Sequence, residues 1–237
     1  MSLLEKLLDE KNGNYKGGIY HQTQIKFSFN TNRIEGSKLT EDQTRYIFET
    51  NTLITENGET ASKVDDILET VNHFACFDYM LDISNEILSE KHIKSFHKLL
   101  KTNTSQSKKS WFKIGEYKTE PNIVGGIETT QPKDVPLKML ELLENYNALK
   151  VKTVEDIIDF HYNFEIIHPF QDGNGRVGRL IMFKECLKHK IIPFVIQDEF
   201  KAFYYRGLNE YPRIKEYLVD TCLSAQDDYK RLVSYFS

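Results

Sequence analysis

Apolar residues recur every three or four positions through most of this chain, a pattern typical of amphipathic or buried α-helices. The pattern is clearest in residues 63–83, 139–146, 154–166 and 214–236. In residues 154–166 apolar side chains surround nearly the whole circumference, as expected of a helix at the centre of a bundle. The chain is therefore predicted to be an all-α protein.

Side-chain oxygens stand where several of these helices are predicted to begin. Thr40, followed three residues later by Gln43, matches a capping box, in which each side chain accepts a hydrogen bond from a free backbone N–H group. Ser62, Ser89 and Thr153 precede further apolar runs. We expect helices to begin directly after these residues, because a hydroxyl at this position satisfies the first backbone donors.

Residues 111–132 interrupt the helical pattern. They contain β-branched and aromatic residues on either side of a Thr-Glu-Pro-Asn sequence at residues 119–122. This composition predicts a β-hairpin with its turn at that sequence. An exposed hairpin edge can pair with an extended segment of a partner, and an irregular surface loop is the alternative interpretation.

Composition narrows the classes of function. The 237 residues include 40% hydrophobic residues, enough for a sizeable core. With 31 basic and 35 acidic residues the formal charge is −4, which argues against nucleic acid as a partner. The first residues lack the pattern of a signal peptide, and no apolar run approaches the ~20 residues of a membrane span. Three widely spaced cysteines favour reduced thiols, so we expect a cytoplasmic protein without a membrane partner.

Residues 166–180, with the sequence IIHPFQDGNGRVGRL, separate two predicted buried helices. Pro169 disfavours helical geometry at the preceding residue and so ends the first helix at His168. Gly173 and Gly175 permit the positive φ angles at which successive N–H groups point into one concavity. A helix that begins here adds a favourable field for anions. The stretch predicts a phosphate site.

In its full order, His-Pro-Phe-Gln-Asp-Gly-Asn-Gly-Arg at residues 168–176 followed by Arg179, this stretch resembles the signature of the Fic domain family. The resemblance covers residues 62–212. It implies a Fic-type helical bundle with a β-hairpin flap at about residues 111–127 over the active-site loop. It also implies transfer of AMP from ATP to a hydroxyl side chain of a target protein.

The residue types at these positions suit that chemistry. Near pH 7 the neutral imidazole of His168 can accept a proton from a Ser, Thr or Tyr hydroxyl, as a general base. Asp172 offers the hard oxygen ligand that Mg²⁺ prefers. Asn174 and the N–H groups of the two flanking residues, Gly173 and Gly175, are predicted to hold phosphate oxygens.

Two arginines follow on the next predicted helix. Arg176 and Arg179 are three residues apart, so they share one face and can both reach a triphosphate. The resemblance implies that Arg179 meets the γ-phosphate.

The resemblance extends to the flap and to the adenosine side of the site. It implies target docking by four flap residues, Tyr117, Lys118, Asn122 and Ile123. It implies nucleotide contacts by five more residues, Val124, Gly125, Gly126, Tyr204 and Tyr205. For the two tyrosines, packing in the core is an equally weighted alternative.

A second element lies far upstream of the loop. Thr31, Glu35 and Gly36 resemble the family's inhibitory motif, at the end of a helix predicted at about residues 20–36. Thr31 and Glu35 fall on one helical face, and Gly36 permits the left-handed turn that ends the helix. The resemblance implies that Glu35 pairs with Arg179 and excludes the γ-phosphate. An ordinary helix C-terminus is the alternative.

These expectations define three parts of the chain and one activity. Residues 1–61 are predicted to form N-terminal helices with the inhibitory helix, residues 62–212 the Fic core, and residues 213–237 a C-terminal helix packed on it. ATP is the predicted co-substrate, Mg²⁺ the cofactor and an unidentified protein the target, with self-modification and homo-oligomers as further expectations. Hydrolysis of an AMP-modified protein and a non-catalytic peptide-binding module remain the alternatives.

Overall fold

The computed structural model describes residues 1–54 and 62–236, and this part of the chain is mostly helical. The prediction of an all-α fold is confirmed. Ten α-helices lie in the described ranges: α1 (Leu3–Gly13), α2 (Ile19–Ile34), α3 (Glu41–Thr50), α4 (Val64–Asp82), α5 (Glu90–Lys101), α6 (Val135–Ala148), α7 (Val154–Ile167), α8 (Asn174–Lys188), α9 (Lys201–Glu210) and α10 (Glu216–Tyr235). Three short 3-10 helices accompany them: Gln106–Lys108, Pro132–Asp134 and Asp198–Phe200.

Most of the predicted helix starts are confirmed by the capping contacts. Thr40 and Thr153 each form a capping box, and the hydroxyl of Ser89 accepts a hydrogen bond from a backbone N–H group of the first turn of α5. The prediction for Ser62 is wrong by one residue. Lys63 instead precedes α4 in extended geometry, and it provides no side-chain cap because its ammonium group has no acceptor.

One core connects the first helix with the last. A single cluster of buried apolar side chains extends from Leu4 in α1 to Tyr229 in α10, with α7 and α8 at its centre. This cluster crosses the predicted division at residue 213. The other predicted division, between residues 61 and 62, adjoins residues 55–61, which lie outside the described part of the chain. The three predicted parts stay a prediction. Among the described residues, no helix has the length and apolar character that a bilayer crossing requires.

All three cysteines are part of this core. Cys76, Cys186 and Cys222 are free thiols, and each is fully buried. Burial raises the pKa of each thiol well above its ordinary value. The predicted reduced core thiols are therefore present.

Helices α7 and α8 approach each other closely at Gly178. A Cβ atom built at this position would lie 2.6 Å from Nδ1 of His161 in α7. No side chain fits that space without movement, so glycine allows the two central helices to pack with the loop between them held rigidly.

The flap is a short antiparallel hairpin of β1 (Ile123–Val124) and β2 (Ile127–Glu128). Its turn is formed by Gly125 and Gly126, with φ angles of 57° and 82°. The prediction of a turn at residues 119–122 is therefore wrong. Two consecutive positive φ angles suit a two-residue hairpin turn, and the Gly-Gly pair adopts them without steric cost.

The base of the flap is bonded to the loop that follows α7. The backbone N–H of Lys118 donates a hydrogen bond of 2.8 Å to the carbonyl of Pro169. The buried ammonium group of Lys118 donates to Asn122 Oδ1 at 2.7 Å and to Thr129 Oγ1 at 2.5 Å. The flap and the loop are therefore positioned relative to each other by the chain itself.

Candidate active site

The loop between α7 and α8 turns sharply at both ends. His168 follows the last residue of α7 with φ at 50°, and its N–H donates to the carbonyl of Phe164 at 2.9 Å. Gly173 precedes α8 with φ at 84° and caps it without a side chain. These left-handed conformations end one buried helix and begin the next within a few residues.

Asn174 holds this loop in shape. Its Oδ1 accepts a hydrogen bond from the N–H of Phe170, and its Nδ2 donates to the carbonyl of the same residue, both at 2.8 Å. The side chain is almost completely buried. Asn174 was predicted to contact phosphate, but both ends of its amide are bonded to the loop, so its observed role is to fix the loop's backbone.

His97 in α5 supports the loop, through contacts that no sequence motif indicates. Its ring stacks on Phe170 with centroids 4.0 Å apart and planes at 7°. Its Nδ1 accepts a hydrogen bond of 2.9 Å from the N–H of Gly115, at the start of the flap segment. Burial and then the charge of Lys101 lower the pKa of His97 to about 3, so the ring is neutral.

His168 has the protonation state that a general base needs. Burial first, and then the positive charge of Lys118, lower the pKa of His168 to about 4. The imidazole is therefore neutral at pH 7 and free to accept a proton.

Arg179 is buried beneath the loop and bonded to α2. Its Nη2 donates to Glu35 Oε1 at 2.6 Å and to the carbonyl of Thr31 at 3.2 Å, and its Nε donates to Thr31 Oγ1 at 2.6 Å. Gly36 has φ at 98°, which ends the turn after α2 as predicted. The predicted contact between Glu35 and Arg179 is present, and Thr31 supports it.

The carboxylate of Glu35 also covers the beginning of α8. A Cβ atom built on Gly175 would collide with that carboxylate, and α8 has no side-chain cap of its own. Burial raises the pKa of Glu35, but Arg179 and then Arg176 outweigh this effect, so the net shift is downward. An ionised carboxylate therefore lies at the helix N-terminus, where backbone N–H groups favour an anion.

Asp172 and Arg176 belong to a network of four charges that connects the loop with α4 and α5. Lys101 donates a hydrogen bond to Asp172 Oδ2 at 2.7 Å and also contacts Glu69. Arg176 contacts Glu69 as well and lies 3.6 Å from Asp172. Glu69 and Lys101 were missed by the sequence analysis, because no local motif relates residues on three different helices.

The donor chemistry of Asp172 fits the predicted Mg²⁺. Burial raises the pKa of Asp172, but the charges of Arg176 and Lys101 lower it by more. The pKa therefore lies well below its usual range, and the carboxylate is ionised at neutral pH. Its side chain is 37% exposed beside the anion-binding loop. Over residues 1–54 and 62–236, no cluster of three or more acidic, histidine or cysteine side chains is suited to a metal ion. A single carboxylate suits Mg²⁺ when phosphate oxygens and waters supply the other ligands.

The two predicted adenosine residues occupy different environments. Tyr204 is completely buried and shares a hydrogen bond of 2.7 Å with His161, and Arg179 donates to its hydroxyl at 3.4 Å. In this conformation it is a core residue behind Arg179, the alternative that the sequence left open. Tyr205 is partly exposed, and its hydroxyl donates to the carbonyl of Ile34 at 3.3 Å.

The flap residues also divide into two groups. Tyr117 and Lys118 are buried at its base, where they have no surface for a target, so the predicted direct docking by these two side chains is not supported by their positions. Ile123 and Val124 are 67% and 48% exposed. These two exposed apolar side chains lie on β1.

The helical fold and the loop at the start of α8 are similar to those of Fic-domain proteins. Residues 87–186 match the model of the Fic/DOC family. The matched residues include the whole loop and most of α8. This part of the chain is therefore similar to a Fic domain.

Curated relatives agree with this assignment. The chain is 24% identical to protein adenylyltransferase fic-1 of Caenorhabditis elegans over 197 residues, which cover 81% of this chain and 37% of that protein. It is 26% identical to protein adenylyltransferase Fic of Aedes aegypti over 187 residues, with 78% and 36% covered. The chain thus spans little more than a third of these relatives.

Solved structures share the fold. A Fic domain-containing signalling protein from Bacteroides thetaiotaomicron matches with a TM-score of 0.71 at 23% identity, over 98% of this chain and 90% of that chain. Fic-1 of Caenorhabditis elegans matches with a TM-score of 0.77 at 20% identity, over 98% and 70%. At these identities the likeness supports the fold alone.

Proposed function

We propose that this chain is an ATP- and Mg²⁺-dependent protein adenylyltransferase that modifies a Ser, Thr or Tyr hydroxyl and is inhibited by its own Glu35. One observation carries the proposal. The Glu35 carboxylate lies at the uncapped start of α8 and 2.6 Å from Arg179, a position suited to an oxyanion. A nucleotide phosphate has the same charge and the same acceptor oxygens.

In the proposed reaction, neutral His168 takes the proton from the target hydroxyl. The hydroxyl oxygen forms a bond to the α-phosphorus as the bond from that phosphorus to the pyrophosphate oxygen breaks, and pyrophosphate leaves. Backbone N–H groups at the start of α8 stabilise the developing negative charge. Asp172 would hold Mg²⁺, which neutralises phosphate charge when it is bound. Asn174 keeps the loop in the geometry that this step needs.

Inhibition follows from competition for Arg179. While its guanidinium is bonded to Glu35 and Thr31, it is not available to a γ-phosphate. A charged hydrogen bond contributes about 1.5–3 kcal/mol, which corresponds to roughly a ten- to hundredfold change in an equilibrium. The proposed inhibition is therefore substantial but can be relieved.

The flap is the proposed docking site for the target. Exposed Ile123 and Val124 on β1 present both apolar side chains and the backbone of a two-stranded hairpin to an extended segment. Main-chain pairing to such an edge supplies affinity with little sequence specificity. The target, a site of self-modification, homo-oligomer formation and the cytoplasmic location all stay predictions.

The test is transfer of radiolabel from ATP to protein, with cell lysate as the source of targets. With label on the α-phosphate, the Glu35→Gly variant should modify protein at least about tenfold faster than wild type, because the competing carboxylate is gone. Adding His168→Ala should abolish the reaction. Glu41→Gln, a charge removal on the neighbouring helix α3, should leave the wild-type rate unchanged.

Two other results would contradict the proposal. Label transferred only from the γ-phosphate would indicate a kinase. No transfer from either position by folded Glu35→Gly protein would favour the non-catalytic peptide-binding module.

Hydrolysis of an AMP-modified protein at the same site is a second candidate. The position of the Glu35 carboxylate over Gly175 favours it, since a carboxylate there can orient an attacking water. An AMP-modified target should then lose AMP faster with wild type than with Glu35→Gln. Equal rates would refute this second activity.

A further inference from the structure

A buried lysine lies beside the carboxylate that is proposed to bind the metal. Lys101, at the C-terminal end of α5, has a side chain that is 1% exposed. Its ammonium group is 2.7 Å from Asp172 Oδ2 and also contacts Glu69. It is a closer cation to Asp172 than Arg176, which lies at 3.6 Å.

The four side chains balance in charge. Glu69 contacts both Lys101 and Arg176, so the two cations share one partly buried acid and Asp172 supplies the second negative charge. The ammonium group approaches Asp172 from the protein interior. The carboxylate itself is more than a third exposed, so a metal ion from solvent can reach it. The lysine is thus buried, while part of the carboxylate stays open to solvent.

We propose that the ammonium group of Lys101 is a permanent positive partner of the Asp172 carboxylate. Because of this charge, a divalent metal ion binds Asp172 only when the nucleotide is also bound. A divalent ion at Asp172 without nucleotide would be close to two positive side chains, and such charges repel strongly in a partly buried site. The phosphates of ATP supply the negative charge that offsets this repulsion. The metal then enters together with the nucleotide, and Lys101 acts as a positioning residue. The inference rests on the proposed function only in taking Asp172 as the metal ligand.

Binding of Mn²⁺ to the full chain without nucleotide tests this inference. Electron paramagnetic resonance measures the free aqueous ion, so the bound fraction follows by difference and no activity is needed. Lys101→Met should bind Mn²⁺ at least about tenfold more tightly than wild type, because one of the two repelling cations is removed. Lys101→Arg keeps the charge and should remain within about twofold of wild type.

Lys98→Met is the matched control. Lys98 lies on the same helix but is exposed, so its removal should leave Mn²⁺ affinity within about twofold of wild type. With a non-hydrolysable ATP analogue present, the difference between Lys101→Met and wild type should shrink to less than about threefold, since phosphate charge then offsets the ammonium group.

The outcomes separate this inference from the proposed function. If Lys101→Met and wild type bind Mn²⁺ equally without nucleotide, the inference is refuted. It is also refuted if the gain persists after Asp172→Asn is added. Asp172→Asn alone should weaken Mn²⁺ binding in the presence of the nucleotide analogue. If it does not, the assignment of Asp172 as metal ligand in the proposed function fails.

A second variant keeps the inference testable if Lys101→Met does not fold. Glu69→Gln removes the acid that Lys101 shares with Arg176, which leaves Asp172 as the only charged partner of the ammonium group in the network of four. Mn²⁺ binding without nucleotide should weaken at least about threefold, because one negative charge that offsets Lys101 is removed. Unchanged binding by folded Glu69→Gln protein would overturn the inference.

Discussion

His168 lies in a partly buried and positively charged environment, and both properties favour its neutral form. Since its pKa is lowered to about 4, the imidazole is already unprotonated at pH 6 and its capacity as a base does not change up to pH 8. Loss of activity through protonation of His168 is expected only as the pH falls toward the lowered pKa.

The first prediction concerns the pH dependence of AMP transfer by the Glu35→Gly variant. The kcat/KM for ATP should show no inflection between pH 6 and pH 8 from His168, because kcat/KM reports the free enzyme. Steady-state assays from pH 5 to pH 8 with circular dichroism at each pH are the measurement. An acid-side inflection near about 6.5, the ordinary value for histidine, would contradict it.

The second prediction concerns Asn174. Replacement by Ala removes two buried hydrogen bonds and leaves the N–H and carbonyl of Phe170 without these partners. The free energy of unfolding should fall by about 2–4 kcal/mol, as measured by urea denaturation. Asn145→Ala, at an exposed position on α6, should change it by less than about 0.5 kcal/mol. A loss no larger than this control would show that the amide does not hold the loop.

The contrast among these residues shows what a sequence can reveal about the site. His168, Asp172 and Arg179 were predictable because a contiguous motif contains them. The structural role of Asn174 was not, since a buried amide and a phosphate-binding amide look the same in sequence. Lys101 and Glu69 carry no signal at all, because their contacts depend on how α4, α5 and the loop pack together.

Helices were the most predictable elements of this protein. Capping residues such as Thr40 and Thr153 identify helix starts because their side chains bond locally, within one turn. The flap was harder. Residues 119–122 have a common turn composition, yet the hairpin turns at Gly125 and Gly126, where the positive φ angles match the twist of the two strands.

The third prediction tests the close approach of α7 and α8. In Gly178→Ala the added Cβ would lie 2.6 Å from Nδ1 and 2.7 Å from Cε1 of the buried His161 ring. Because this ring is packed on all sides, the free energy of unfolding should fall by about 1–3 kcal/mol in urea denaturation. Gly13→Ala is the control, since its neighbour is the exposed ring of Tyr15, and it should cause no loss. Equal stability of the two variants would contradict the packing described for Gly178.

At the scale of the whole molecule, the inhibitory contact is also a contact that stabilises the fold. Helix α2 packs into the main core and ends in the hydrogen bonds that Arg179 makes to Thr31 and Glu35. Relief of inhibition by mutation should therefore reduce stability while it increases activity.

The fourth prediction is the stability of Glu35→Gln. At pH 7 the free energy of unfolding should be about 1.5–3 kcal/mol lower than in wild type, because a charged hydrogen bond is lost. The folded-state pKa of Glu35 is lowered, so its stabilisation is present above the ordinary glutamate pKa and is lost as the pH falls through and below it. The difference between the two proteins should thus shrink from pH 7 to pH 4 in urea denaturation. A difference that grows toward pH 4 would mean that the carboxylate is not ionised in the folded protein.

The burial of all three native thiols has a practical consequence for experiments on this molecule. Thiol reagents act on an exposed thiolate, and none of the three native cysteines presents one in the folded state. A cysteine introduced at Ile123 would therefore be labelled selectively without prior removal of the others. A fluorophore at that position would report directly on anything that covers the tip of the hairpin.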